Sequence, residues 1–506
     1  MRTRDVLVIG LILVWIGVTG VVALGEPPPI EVSRINRGDH EELQVTTGLA
    51  DYLFSTRGGV LRSVFLTFGS FGDRPLELIP GTVTKEEGDE LRRDLPQFPP
   101  PLPFELSLTE GQNYRVEIED DPRLEELKLK FTHEAEGLRI IKIFTIHNDP
   151  SYTIDLDLSI VNIGSEARTL EAYRMILAQS KEDTELRYLF DGGRRTDILA
   201  PASYNRFGGL GFVDRNTVLF LKNETESEQV FPNIERDERG REVLVVKSDD
   251  LTLFPFDERN YRFTLYAGRN KFTLLDDAGL APIVDLGFFR QFLVPAVRIL
   301  DRLFQWTGNY AWAIIIFTVV IRVVLIPVMR NQYRSMARMS ELRPKMAKLQ
   351  KKYKNDRQKL NQKMMELYRE EGVNPLGGCL PALVQIPILI LLWRAILFNS
   401  ERIHFSPGFL WIPDLSLPDP FYILIALNIG AMILQNRLSM TVGSIGGGGF
   451  QSQIFMWVFP FFIAFLLRNF PAGMWLYYLL QTVLQVGQQY WVNRELAQER
   501  TAQAEG

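Results

Sequence analysis

One arginine, Arg322, interrupts an apolar run of twenty residues, YAWAIIIFTVVIRVVLIPVM at 310–329. A run of that length can cross a bilayer as a helix. A guanidinium at membrane depth is costly, so it faces a wet cavity or a partner rather than lipid. Thr318 lies four residues earlier, on the same helix face. Other apolar runs carry polar groups as well: Gln385, Asn428 with Gln435, Tyr477 with Tyr478, and Gln481 with Gln485. Amides and hydroxyls in lipid have to find hydrogen-bond partners. Converging on Arg322, they would line a hydrated groove in the cytoplasmic half of the membrane. Taken singly, each would serve as glue between helices. Arg322 alone would also reach the nearer interface by snorkelling, since only seven residues separate it from Met329.

The chemistry on offer is therefore solvation by hydrogen bonds and one positive charge. Covalent catalysis has no foothold in the sequence. There is no P-loop, no HExxH and no triad-like grouping, and the four histidines are scattered. The one cysteine, Cys379, opens an apolar run in GGCLPAL and reads as a small packing residue. No metal site and no cofactor is expected, and the chain is expected not to be an enzyme.

Six apolar runs would position these groups: 6–24, 310–329, 380–398, 421–436, 454–467 and 471–492. None of them contains Asp or Glu, so no acidic side chain within them can neutralise Arg322. The fourth and fifth are short for a span, which implies tilt or a locally thinned bilayer. The first follows Met-Arg-Thr-Arg-Asp and has 19 uncharged residues. That is longer than the core of a signal peptide, so it reads as a retained anchor. Charge is uneven. Residues 330–376 hold 13 Lys and Arg against 5 Asp and Glu, a net of +8, whereas the whole chain carries −5. Arg2 and Arg4 place the N-terminus inside, and two spans later the +8 segment falls inside too. Residues 25–309, 399–420 and 468–470 then lie outside, and both termini are cytoplasmic.

The long outer segment reads as β. LKLKF at 127–131, IIKIFTI at 140–146, TIDLDLSIV at 153–161, VLFLK at 218–222 and YRFTLYA at 261–267 alternate apolar and polar residues. Turn signals such as Arg57-Gly58-Gly59, Asn148-Asp149-Pro150 and Asp191-Gly192-Gly193 separate such runs, and the proline-rich stretch around 95–103, PQFPPPLPF, is a surface loop. Together they predict a large all-β sandwich. Residues 286–304 predict an amphipathic helix lying on the outer leaflet. Its stripe is Phe288, Phe289, Phe292, Leu293, Ala296, Leu300 and Leu303. A helix packed on the β domain is the plainer alternative. The basic segment predicts a helical hairpin with a seam of Met339, Leu342, Met346, Leu349 and Tyr353, a turn at Asn355-Asp356, and Leu360, Met364 and Leu367 on the return. Pro344 must kink its first helix or open its regular part. Lys345, Lys348, Lys351, Lys352, Lys359 and Lys363 give it a basic face. That face suits anionic lipid headgroups, ribosomal RNA or a nascent chain, or it is a solvated face obeying the positive-inside rule.

TVVIR at 318–322, NQYRSMARM from Asn331, VNPLGGCLPALVQIP at 373–387 and FPAGMWLYY at 470–478 together resemble the YidC/Oxa-type membrane protein insertases. The resemblance is dense from about 285 to 492, and the outer segment is similar in kind to the large periplasmic domain of Gram-negative members, with STRGG at 55–59 and IIKIFTIHND at 140–149 in keeping. It implies the groove arginine at Arg322, the groove threonine at Thr318, the third-span glutamine at Gln385 and the paired tyrosines at Tyr477 and Tyr478. It also implies a protein that inserts and helps fold nascent inner-membrane proteins, alone or beside the Sec translocon.

The expected architecture is a polytopic α-helical membrane protein of six spans with a large all-β sandwich periplasmic domain and a cytoplasmic helical hairpin. Its parts are an N-terminal anchor (1–29), the periplasmic β domain (30–284), an interfacial helix (285–309), a core of five spans (310–492) containing the hairpin (330–376), and a short cytoplasmic tail (493–506). The expected groove comprises Arg322, Thr318, Gln385, Asn428, Gln435, Tyr477, Tyr478 and Gln481. Expected partners are nascent membrane proteins, the Sec translocon, the ribosome and anionic lipids, with no specific nucleic-acid sequence. The chain departs from the family pattern in two places. The tail has only Arg494 and Arg500 as basic residues, which argues against ribosome docking through it, and Arg394 adds a charge to the third span. Two other functional classes fit parts of the pattern. A secondary transporter or channel would also place charge and amides in the membrane, although no repeated halves are visible. A structural envelope protein would act through its β domain.

Overall fold

The computed structural model describes residues 29–69, 76–79, 83–87, 90–94, 103–121, 125–179, 185–190, 194–196, 207–225, 230–236, 242–284, 290–353, 356–372, 380–443, 458 and 460–505. The predicted anchor at 6–24, the Asp191-Gly192-Gly193 turn, most of the proline-rich loop, Phe288, Phe289, Asn355 and Cys379 lie outside the described residues. The chain forms two compact units, residues 27–287 and residues 288–506 together with 1–26.

Antiparallel sheets build the first unit. The largest has nine strands in the order Arg194–Thr196, Glu185–Phe190, Phe207–Val213, Thr217–Asn223, Glu258–Arg269, Thr153–Asn162, Leu138–His147, Glu126–Ala135 and Arg115–Asp121. A five-stranded meander runs through Glu31–Asn36, Glu41–Thr46, Ala50–Ser55, Val60–Leu66 and Leu76–Ile79. All five alternating segments picked out in the sequence are neighbours at the centre of the nine-stranded sheet. Thr153–Asn162 shows why, because its inward residues are buried and its outward ones half-buried in strict alternation. Phe54 of the meander meets Phe144 and Phe131 of the large sheet at 5.1 and 6.3 Å between ring centres, and Phe104 meets Phe144 at 5.4 Å. The two sheets thus pack face to face.

In IIKIFTI, Lys142 shares a face with Ile140, Phe144 and Ile146, and all four are buried. Its ammonium donates to the carbonyl oxygens of Gly58 (2.7 Å), Gly59 (3.1 Å) and Phe104 (2.8 Å), and it lies 4.9 Å from the centre of the Tyr114 ring. Gly58 and Gly59 both adopt positive φ, which turns these carbonyls inward. At Gly59 a Cβ would sit 3.1 Å from the Tyr114 ring, so the glycine also makes room for that contact.

The second unit is helical. In chain order its helices are α1 (Arg290–Thr307), α2 (Tyr310–Glu341), α3 (Arg343–Lys352), α4 (Arg357–Glu370), α5 (Leu380–Phe398), α6 (Ser400–His404), α7 (Ile423–Gly443) and α8 (Ala472–Glu505), and residues 460–466 are also helical. Within α2, Tyr310–Pro327 is long and apolar enough to cross a membrane, and Ile386–Phe398 and Ile423–Arg437 are shorter apolar helices. A core of Ala296, Leu300, Tyr310, Ile314, Leu392, Ile396, Leu424, Trp475 and Tyr477, among others, joins α1, α2, α5, α7 and α8.

The helix predicted at 286–304 is present as α1 from Arg290 onward, with one face packed. Leu293, Ala296, Val297 and Leu300 are buried, Ala296 and Leu300 of them within the helical core. Phe292, Ile299 and Trp306, spaced by seven, remain 54%, 48% and 78% exposed. The apolar stripe drawn from the sequence therefore mixed two faces, of which one packs on neighbouring helices and the other is largely exposed. Asp301 anchors α1 by pairing with Arg402 at 2.6 Å and accepting from the Tyr310 hydroxyl at 3.0 Å.

The hairpin region holds one more break than a simple two-helix reading. α2 continues to Glu341, Leu342 breaks the regular helix, and Pro344 stands in the first turn of α3, where its missing N–H costs nothing. Asp356 caps α4 by accepting from the Lys359 amide at 3.0 Å. The shared core of α3 and α4 is Leu342, Met346, Leu367 and Tyr368, with Leu349 and Met364 packed on it. Tyr368 was absent from the predicted seam. So few buried side chains give little protection against opening. Amide exchange across 342–367 is expected to be faster by at least about a hundredfold than across 311–322, as read by mass spectrometry of the protein in nanodiscs. Equal protection in the two segments would refute a loosely held hairpin.

Candidate functional site

Arg322 is 6% exposed. Its Nε donates to Oε1 of Gln481 at 2.8 Å, and its Nη2 donates to the Gln481 backbone carbonyl at 3.0 Å and to Oε1 of Gln485 at 3.1 Å. Gln481 and Gln485 are one helical turn apart on α8, so a single face of α8 presents both amide oxygens to α2. Taking a backbone carbonyl in mid-helix as well binds the guanidinium to the α8 backbone itself. The three oxygens are neutral acceptors, and they fix the guanidinium's position between α2 and α8.

The other predicted groove residues divide. Thr318 is buried, and its hydroxyl donates back to the Ile314 carbonyl at 2.6 Å, so it is satisfied within α2. Asn428 is fully buried, and its Nδ2 donates to the carbonyls of Leu424 (2.8 Å) and Trp475 (3.0 Å), joining α7 to α8. Its Oδ1 is buried without a hydrogen-bond partner. Tyr477 is buried in the helical core, while Tyr478 is half-buried and meets the Trp475 ring edge-on at 6.5 Å. Gln435 is half-buried one face-repeat beyond Asn428. Gln385 lies within α5, and its side chain is outside the described residues. Arg394 is exposed on the same helix.

Loop backbone sets the start of α8. The amides of Ala472 and Gly473 donate to the carbonyls of Leu417 (2.7 Å) and Leu415 (2.9 Å), which satisfies two of the unpaired donors at the helix N-terminus. Asn309 does the same for α2 by accepting from the Ala311 amide at 2.8 Å, and its own Nδ2 holds the carbonyls of Pro407 and Gly408. Sequence reading missed this outer clamp of Asp301, Asn309 and Arg402. The available signal was the Asn at the start of an apolar run.

In the hairpin, Lys345, Lys348, Lys352 and Lys363 surround a cleft of about 350 Å³ floored by Leu349 and Leu367, with Glu366 and Glu370 on one wall. Lys345 pairs with Glu371 and Lys363 with Glu366, so part of the predicted basic face is internally neutralised. Lys351 and Lys359 are exposed.

A charged group held by amides between two long helices, one of them apolar and long enough to cross a membrane, is in keeping with a membrane protein. Comparison with known proteins agrees. The family described as 60Kd inner membrane protein matches residues 302–499. A membrane protein insertase YidC from Pelobacter propionicus is 31% identical over 491 residues, covering 90% of this chain and 87% of the relative. Another from Geobacter sulfurreducens is 31% identical over 396 residues, covering 74% and 72%. A crystal structure of an active YidC insertase with its first transmembrane domain resolved matches with a TM-score of 0.53 at 23% identity, covering 97% of this chain and 99% of that one, and so shares the fold. The chain belongs to the YidC family of membrane protein insertases.

Proposed function

We propose that this protein inserts nascent membrane proteins by solvating their polar flanks at Arg322. The observation that carries the reading is a buried guanidinium inside a helix apolar and long enough to cross a membrane, fixed by the amide and carbonyl oxygens of Gln481 and Gln485. Such a charge lowers the cost of bringing an acidic or hydrated flank to membrane depth. The segment then moves sideways into lipid, where apolar burial drives completion. No covalent step is involved. In this reading the chain crosses the inner membrane six times with both termini in the cytoplasm, and the site opens to the cytoplasm among Arg322, Thr318, Gln385, Asn428, Gln435, Tyr477, Tyr478 and Gln481. The α3–α4 hairpin captures the incoming segment with its lysines and leans on anionic lipid. The Sec translocon and the ribosome are partners in delivery, although the short, weakly basic tail contributes little to the latter.

Thiol accessibility tests the topology. With Cys379→Ser as background, cysteine is placed at 322, 385 or 478. A membrane-impermeant thiol reagent is expected to label all three from the cytoplasmic face of inverted vesicles and none from the outer face of intact cells. Labelling from outside alone reverses the groove. Absence of labelling from both faces favours a dry cluster of interhelical hydrogen bonds.

A further inference from the structure

Two contacts fix which face of α8 meets α2. Arg322 binds Gln481 and Gln485, and Arg330 pairs with Glu495 further along both helices. The positions 481, 485, 488, 492 and 495 step by four and three residues, the stripe of one helix lying along another. Val492 on that stripe is fully buried. Gln488 therefore lies between the two contacts, and Gln489 lies one turn from Gln485. Gln489 is 2% exposed, and Nε2 of Gln488 and of Gln489 are both buried without an acceptor. Nε of Arg330 is buried without an acceptor too. Three unmatched N–H donors thus cluster on the cytoplasmic side of Arg322, along a stretch of roughly 12 Å of helix. Buried donors are almost always matched, so unmatched ones in one place mark a position where another molecule supplies the acceptors.

We propose that Gln488, Gln489 and Arg330 extend the Arg322 site toward the cytoplasm as a donor track that receives the carboxylates of an entering segment's acidic flank. This rests on the insertase reading. A carboxylate is acceptor-only and offers several lone pairs, which suits amide and guanidinium donors. An acidic flank would be handed from Arg330 past the two amides to Arg322, and at each stage its hydrogen bonds to water are replaced before they are lost. The Arg330–Glu495 pair at the entrance favours clients that can compete for Arg330, which are again acidic.

The test uses the full chain in inverted vesicles with ribosome-stalled clients of increasing length. A photo-crosslinking phenylalanine replaces Gln488 in one variant and Val323, an exposed neighbour of Arg322, in another. Crosslinks to the client are expected at both positions, at 488 with shorter chains than at 323. Changing the client's Asp and Glu to Asn and Gln should weaken the crosslink at 488 by about fivefold or more and leave that at 323 within twofold. Crosslinking at 323 with silence at 488, equal crosslinking by acidic and neutral clients, or capture of lipid alone at 488 overturns the track while leaving the insertase reading intact. Silence at both positions overturns both. A second arm needs no probe in the track. Gln488→Leu with Gln489→Leu should slow insertion of acidic-tailed clients about fivefold or more and spare neutral-tailed ones. Equal slowing of the two classes assigns the glutamines to packing and refutes the proposal.

Discussion

Replacing Arg322 by alanine is expected to reduce insertion of clients with acidic translocated tails by about tenfold or more, while neutral-tailed clients change by about twofold or less. A hydrogen bond to a charged group contributes about 1.5–3 kcal/mol, and each 1.4 kcal/mol is a factor of ten. The substitution removes the charge and also takes a donor from Oε1 of Gln481 and of Gln485, so some loss for every client is expected from loosened packing of α8 on α2. The difference between client classes isolates the electrostatic part. Arg322→Lys keeps the charge and one of the amide contacts, and it should retain most activity on acidic clients. Insertion rates measured side by side for a client and its Asp/Glu-to-Asn/Gln version decide the matter. Equal losses for both clients in the Ala variant would remove any electrostatic role for Arg322.

Arg322 was legible because charge inside an apolar run has few explanations, and Gln481 was legible because an amide in the same kind of run needs a partner. The partnering itself was not. Seven-residue spacing put Asn428 and Gln435 on one face, but only packing decides that Asn428 spends its donors on the carbonyls of Leu424 and Trp475. Gln488 and Gln489 passed unnoticed since they stand near the polar end of a long helix, where glutamine is ordinary. In the β unit, strands with one face half in solvent announced themselves by alternation. Ala50–Ser55 is buried at every position and so carries no period to read. Lys142 keeps the period, since it shares the inward face of Ile140, Phe144 and Ile146, but alternation does not tell that three carbonyls wait there for its ammonium.

That lysine gives the largest stability effect expected in the molecule. Lys142→Ala leaves three buried carbonyls without a donor and a side-chain-sized hole beneath Tyr114, which should destabilise the β unit by about 3–5 kcal/mol. The wild-type residue also makes stability depend on pH. Burial pushes its ammonium down to about 7, with attraction from Glu105 partly offsetting that cost. In the unfolded chain the same group keeps its proton to roughly pH 10.4. Between these values the unfolded state binds more protons, so through this group stability rises with pH, by at most roughly 1.4 kcal/mol per pH unit. Below pH 7 both states are charged and its contribution is flat. All eight tryptophans lie outside residues 27–287, so their fluorescence does not report on this unit. Hydrogen exchange along 140–146 and 50–55 does. Wild-type protection in those strands, corrected for the intrinsic rate, should increase from pH 7 to pH 9, whereas the Ala variant should start lower and stay level. A wild-type profile as flat as the variant's would show that Lys142 keeps its proton throughout and that the three carbonyls hold it as firmly as water does.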